Sequence, residues 1–205
     1  MQVIMDSEIL ALKGPNQIFH EWKGYLQFVQ AYFMKCGIWH PVVVEIGVQM
    51  GRQKAHYEKF LDAIHIGIDI SNKYGTPDIL GDSHDPETVK KLREKLGGRP
   101  INLLFLDAMH TYADTLQDYE TYGPMTSDII AFHDIRHEAE IGRLWRDILI
   151  AGKGEKGLSF YTVGANGNGW CELGIGLIVK KGKDELKALT EKYRGKGELQ
   201  SQTQV

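Results

Sequence analysis

Val42-Val43-Val44-Glu45-Ile46-Gly47-Val48-Gln49-Met50-Gly51 carries the strongest fold signal in the chain. An apolar run broken by one carboxylate, followed by two glycines four residues apart, predicts a buried parallel strand, a tight turn and a helix N-terminus. Gly47 lets the chain turn where a side chain would clash, and Gly51 lets the next helix approach the sheet. Open α/β sheets begin a nucleotide site in this way. Glu45 is the odd residue of the run. A carboxylate near the C-terminal end of a central strand lies where such sheets bind ligands, so Glu45 reads as a ligand-facing residue.

The chain has 205 residues, enough for one α/β domain with a full core and too few for two. Lys plus Arg number 24 against 27 Asp plus Glu, a formal net charge of −3. There is neither a basic stripe nor an Asn/Asp-Pro-Pro-aromatic segment of the kind that grips a flipped base, which argues against a nucleic-acid partner. Cys36 and Cys171 have no metal or redox spacing, and neither a targeting leader nor a long apolar span is visible. A soluble cytoplasmic protein without a membrane partner is the expectation.

Residues 1–40 are expected as an N-terminal helical extension, with a short helix over 7–13 and a longer one over 16–36. Ile18, Phe19, Trp22, Leu26, Val29 and Phe33 fall three or four apart on the second helix. Its apolar face would cover a sheet edge or a second copy of the chain, the expected route to a homo-oligomer. The core domain is expected over 41–194, and the polar segment 195–205 is expected to be disordered.

After the first strand and a helix over 50–63, His65-Ile66-Gly67-Ile68-Asp69 predicts a second strand ending in an acid. Asp69 follows Gly47 by 22 residues, near the spacing at which Rossmann-type domains place the acid that accepts ribose hydroxyls. Residues 77–83 predict a short third strand, with Asp82 and Ser83 at its end able to meet the base of a nucleoside or simply to form a turn. Asp85-Pro86-Glu87 then supplies an N-cap, an N1 proline and a first-turn acid for the next helix, which Gly97-Gly98 ends.

Two later strands carry the chemistry. Residues 101–107 predict a buried strand ending in Asp107, and Ala108-Met109-His110-Thr111-Tyr112 leads into a helix that Thr111 can cap and Asp114 can support. Residues 128–134 repeat the plan and end in His133-Asp134. Adjacent parallel strands would bring Asp107, His133 and Asp134 to one sheet edge beside the glycine turn, a donor set for a divalent cation. The carboxylates favour Mg²⁺ or Mn²⁺ and the imidazole pulls toward transition metals. The alternative is a capping Asp134 and a packed strand histidine. His110 is the candidate general base, titrating near neutrality, or else a hydrogen-bonding partner of the helix start. A helix over 138–150, strands over 158–163 and 174–179 joined by a Gly/Asn-rich loop over 164–169, and a helix over 184–194 complete the chain. The two strands predict an antiparallel hairpin closing the sheet.

Val44-Glu45-Ile46-Gly47 to Gly51, Ile68-Asp69, Leu106-Asp107-Ala108-Met109-His110-Thr111-Tyr112 and Phe132-His133-Asp134, in this order, resemble class I S-adenosylmethionine-dependent methyltransferases. The branch they look most like holds the cephalosporin hydroxylase and rhamnosyl O-methyltransferase types. The resemblance implies a Rossmann-like fold with a seven-stranded, mostly parallel sheet whose last strand is antiparallel. It also implies S-adenosyl-L-methionine contacts at Glu45, Gly47, Gly51 and Asp69, and a divalent cation near Asp107 and Asp134. Asp107-Ala108-Met109-His110 stands where the family has Asp-Gly-Asp-His, His133 stands where an acid is more usual, and Pro124-Met125-Thr126-Ser127 replaces Pro-Gly-Gly. The expected activity is O-methylation of a small-molecule or sugar hydroxyl, with Asp107 and His110 at the chemistry. Two rivals stand beside it. A nicotinamide-dependent oxidoreductase needs a glycine where Gln49 lies, so that backbone can approach a pyrophosphate. A binding module without catalysis has the changes at Ala108 and Met109 in its favour.

Overall fold

The computed structural model describes residues 4–12, 19–136, 139–151, 156–160, 173–180 and 200–201. The sheet order is β3-β2-β1-β4-β5-β7-β6-β8, with β1 Val42–Ile46, β2 Ile64–Asp69, β3 Ile79–Leu80, β4 Ile101–Leu106, β5 Thr126–Phe132, β6 Lys156–Phe160, β7 Ile175–Val179 and β8 Gln200–Ser201. Strands β3, β2, β1, β4 and β5 pair in parallel. β7 runs antiparallel to both β5 and β6. The predicted hairpin is present, but its later strand β7 inserts next to β5 and leaves β6 outside. Seven strands thus follow the expected plan, and β8, a two-residue piece within 195–205 paired with β6, adds an eighth. The 164–169 loop, the 184–194 helix and Cys171 lie outside the described residues.

Buried on both faces, β1 and β4 read as apolar runs because each face needs its own cover. On one face Val43, Leu103, Phe105, Ile129 and Ala131 pack against α2 Phe19–Lys35 and α3 Arg52–Leu61; on the other Val44, Ile46, Leu104, Ile130 and Phe132 pack against α4 Pro86–Leu96, α5 Tyr112–Tyr122 and α6 Ala139–Ala151. The first layer explains the apolar stripe of α2. Trp22, Tyr25, Phe28 and Tyr32 are fully buried, so the face that could have met a second copy is used inside the chain, on a sheet face rather than an edge. Trp22 stands 5.1 Å from Tyr25 and 5.7 Å, edge-on, from Phe105, and its indole N–H donates to His56 Nδ1 at 3.2 Å. α1 Asp6–Ala11 adds Ile9 to the same layer.

Helix ends follow the local chemistry. The Asp85 carboxylate accepts from the Glu87 amide, Pro86 opens α4, and Gly97 closes it in the left-handed conformation. Thr111 caps α5 by accepting from the Asp114 amide. α6 is held to the start of α5 by the Tyr112 amide donating to Glu140 at 2.7 Å and the Tyr112 hydroxyl donating to Asp147 at 3.0 Å. It also presses Trp145 onto β7 at Gly176, where an added Cβ would come within 2.9 Å of the indole. No helix among the described residues is long and apolar enough to cross a membrane.

Because Trp22 fills the centre of the α2 layer, Trp22→Ala should cost about 3–5 kcal/mol. Met34→Ala, at a site 41% exposed, should stay within about 0.5 kcal/mol of the parent. Chemical denaturation with both variants checks this; equal losses would contradict the packing described.

Candidate functional site

Register builds the site. Ile46 pairs with Ile68 on one side and Leu106 on the other, and Leu106 pairs with Phe132. Four strands therefore end level. The residues just past or at those ends are tied by backbone bonds: the Gly47 amide donates to Ile68 at 2.9 Å, the Asp107 amide to Ile46 at 2.9 Å, and the His133 amide to Leu106 at 3.0 Å. Gly47 has φ +89, and a Cβ there would overlap the Asp107 carbonyl. Only glycine lets the first turn pass under the β4 end.

Above these ends opens a cavity of about 720 Å³ lined by Gly47, Gln49, Asp69, Asp82, Ser83, Asp107, His110, His133 and Asp134, among others. Asp69 holds the first turn in shape: one carboxylate oxygen accepts from the Val48 and Gln49 amides, each at 2.9 Å, and the other from Ser71 at 2.8 Å. Gln49 takes φ +46 in that turn. Glu45 and Gly51 do not line the cavity. Glu45 points to the opposite side of β1 from Val44 and Ile46, into the α2/α3 layer, where it is fully buried and accepts from His65 Nε2 at 2.8 Å. Burial pushes its carboxyl up, partly offset by the His65 hydrogen bond. The same imidazole faces Asp78 at 3.7 Å and holds that carboxyl well below the usual range. Gly51 is in the left-handed conformation as the N-cap of α3.

Asp107, His110, His133 and Asp134 meet at one end. His133 Nδ1 is 2.9 Å from Asp107 Oδ1 and 3.3 Å from Asp134 Oδ2; His110 Nε2 is 3.7 Å and 3.3 Å from the same two atoms. The His133 side chain is 6% exposed and that of His110 41%. Burial disfavours charge on His133, but the two carboxylates overrule it and push its pKa up to about 10. Burial alone would raise Asp107; His133 and His110 reverse the sign and hold it low. The Asp107 carboxylate beside it raises His110 in turn, with Asp134 adding to the effect. Asp134 adopts φ +56, a conformation that L residues seldom take, at the point where its carboxylate joins the cluster.

The donors suit a divalent cation. Asp107, His110 and Asp134 each offer a ligand atom within 4.8 Å of the others, while Asp134 Oδ1 and both ring nitrogens of His133 are buried without a hydrogen-bond partner. His110, expected as a free base, is thus also a candidate ligand. Sequence reasoning missed the far wall, where His84 lies 3.3 Å from the buried Asp118 carboxylate and lines the cavity with Asp114 and Asp118. Asp114 and Asp118 sit four apart on α5, one helical face, which was the available signal. Burial raises Asp118 to about 6.

Neither a protein-family model nor a curated protein sequence matches the chain. Solved structures do. The MycE methyltransferase of the mycinamycin biosynthetic pathway, in complex with Mg and S-adenosylhomocysteine, aligns at a TM-score of 0.60 and 17% identity, covering 90% of this chain and 56% of its own. The chain thus spans little more than half of that neighbour. An O-methyltransferase from Bacillus cereus in complex with S-adenosylhomocysteine aligns at 0.57 and 14% identity, covering 86% of this chain and 90% of that one. TomG, the O-methyltransferase of tomaymycin synthesis from Streptomyces achromogenes, in complex with S-adenosylmethionine, aligns at 0.56 and 13% identity, covering 85% and 86%. The fold is that of the class I S-adenosylmethionine-dependent methyltransferases, a Rossmann-like α/β architecture with an antiparallel strand in a mostly parallel sheet.

Gly47→Ala should lower stability by at least about 2 kcal/mol, from the left-handed φ together with the carbonyl clash. Asp69→Ala, which frees three amides, should cost about 2 kcal/mol. Thermal unfolding and amide exchange at Val48 and Gln49 check both. A Gly47→Ala protein of parental stability would mean that the turn is not built as described.

Proposed function

We propose that the chain is an S-adenosylmethionine-dependent O-methyltransferase that acts on a hydroxyl of a small molecule or sugar and is assisted by a divalent cation. The observation that carries this reading is the charge of the cavity. Asp69, Asp82, Asp107, Asp114, Asp118 and Asp134 line it with His84, His110 and His133, and no Lys or Arg does so among the described residues. Each unit charge 4 Å from a like charge costs about 1 kcal/mol even in water and more in a cleft. A diphosphate is therefore repelled here, while a sulfonium is favoured. The Gly47 turn and Asp69 support the same ligand: three amides leave the Asp69 carboxylate a lone pair to spare for a ribose hydroxyl. The ligands named for MycE and TomG agree with this choice, and the motif order supports the cephalosporin hydroxylase and rhamnosyl O-methyltransferase branch.

When bound, S-adenosylmethionine supplies an electrophilic methyl carbon: the acceptor oxygen bonds to it as the sulfur–carbon bond breaks, the electron pair staying on sulfur. The chain holds the acceptor in line, and positioning of that kind can contribute roughly 7–11 kcal/mol. While no cation occupies the cluster, His110, its half-exposed member, takes the hydroxyl proton at Nε2, and Asp107 and Asp134 stabilise the imidazolium that results. A divalent cation on Asp107, His110 and Asp134 would occupy that nitrogen instead and would ease proton loss to solvent by making the hydroxyl more acidic.

Methyl-labelled S-adenosylmethionine offered with a panel of sugar and phenolic hydroxyls should leave label in a small hydroxyl product. His110→Ala and Asp134→Asn should each cut turnover about 10²–10⁴-fold, with S-adenosylhomocysteine affinity changing far less. Preferred labelling of an oligonucleotide would overturn the acceptor reading, and full turnover after exhaustive chelation would remove the cation.

A further inference from the structure

The geometry points to a two-nitrogen, two-oxygen site, formed by Asp107, His110, His133 and Asp134, that takes a first-row transition dication such as Mn²⁺, Fe²⁺ or Co²⁺ in preference to Mg²⁺. This rests on the proposed function only in placing a cation beside the acceptor. Donors about 2.1 Å from a shared ion stand roughly 3.0–3.4 Å apart, for octahedral and tetrahedral angles respectively. The four nitrogen–oxygen separations, 2.9, 3.3, 3.3 and 3.7 Å, bracket that range; Asp107, His110 and Asp134 already hold donor atoms within 4.8 Å of one another, and His133 joins them by closing on the ion from the buried side. Both imidazoles face the same pair of carboxylate oxygens, His133 from the buried side and His110 from the cavity mouth.

Burial is the second, independent observation. The His133 side chain is only 6% exposed, yet neither ring nitrogen has a hydrogen-bond partner, although Nδ1 is 2.9 Å from a carboxylate oxygen. The ring lies close to that oxygen but off the line of a good hydrogen bond. Asp134 Oδ1 is buried and unpartnered as well. His133 Nδ1 is thus held only by the charge of the two carboxylates, and a dication in place of its proton keeps that charge balance while supplying the directed bond these atoms lack. Nitrogen donors then decide the ion: Mg²⁺ is hard, holds its waters and seeks oxygen, whereas imidazole suits Mn²⁺, Fe²⁺, Co²⁺ and Zn²⁺. An all-oxygen set needs an acid where His133 stands. With a cation held, His110 would be a ligand, and the acceptor hydroxyl, made more acidic, would release its proton to solvent water.

The test is titration of the chelator-treated full chain with MgCl₂, MnCl₂ and CoCl₂ by calorimetry, with the visible absorption of Co²⁺ recorded alongside. Mn²⁺ and Co²⁺ should bind at least about 100-fold more tightly than Mg²⁺. His133→Gln and His110→Gln should each weaken Co²⁺ at least about 10-fold and change its absorption bands, while moving Mg²⁺ less than about threefold. Should buried His133→Gln fail to fold, the exposed His110→Gln and the ion ranking still decide the matter. Equal Mg²⁺ and Co²⁺ affinities, or folded variants that leave the Co²⁺ affinity and spectrum unchanged, would overturn the site. S-adenosylhomocysteine titrated into the same samples separates the two ideas: its binding without a nitrogen-dependent dication sinks this inference alone, and a nitrogen-ligated dication without its binding sinks the methyltransferase reading alone.

Discussion

Strands β1, β2, β4 and β5 end at a common level, and that level places the glycine turn, the acids and the cavity. The register Ile46 with Ile68, Ile46 with Leu106 and Leu106 with Phe132 places Gly47, Asp69, Asp107 and His133 in one row. Slipping one strand by a residue would turn its side chains to the other face and break that row. The register is held by buried apolar residues on both faces of the sheet, so core packing and site geometry are one problem.

That row collects like charges, and the fold manages them by pairing. Asp107 and Asp134 are balanced by two imidazoles, Asp118 by His84, and Glu45 by His65 on the far side of the sheet. A cavity lined by so many acids, with no Lys or Arg among its described lining residues, is by charge alone a poorer place for a phosphate than for a cation. The strained Asp134 backbone is stored at this same point, where surrounding packing holds it.

Much of this was legible in the chain. Parallel strands buried on both faces leave unbroken apolar runs, and Asp85-Pro86 and Thr111 announce helix starts by their own hydrogen-bond chemistry. The acids at strand ends could be placed in one row because parallel strands end at the same edge. What was not legible depends on parity and partners. Glu45 lies one residue before the level end, so pleat alternation carries it to the α2/α3 layer, away from the cavity. The stripe on α2 showed which side is apolar but not what it meets, and that turned out to be Phe105 and the sheet face. His84 and Asp118 come from separate elements and are joined only by the packing of α5 beside the β3 end. The unequal exposure of His110 and His133, which bears on their roles, follows from the β4–β5 packing and leaves no mark on local sequence.

An acidic cavity of this kind should accept a sulfonium nucleoside and refuse a dinucleotide. Calorimetric titration of the full chain with S-adenosylmethionine, S-adenosylhomocysteine and NAD tests it most directly. Both S-adenosyl compounds should bind at a single site and NAD should show no measurable binding; NAD binding tighter than either would mean that the cavity does not discriminate by charge.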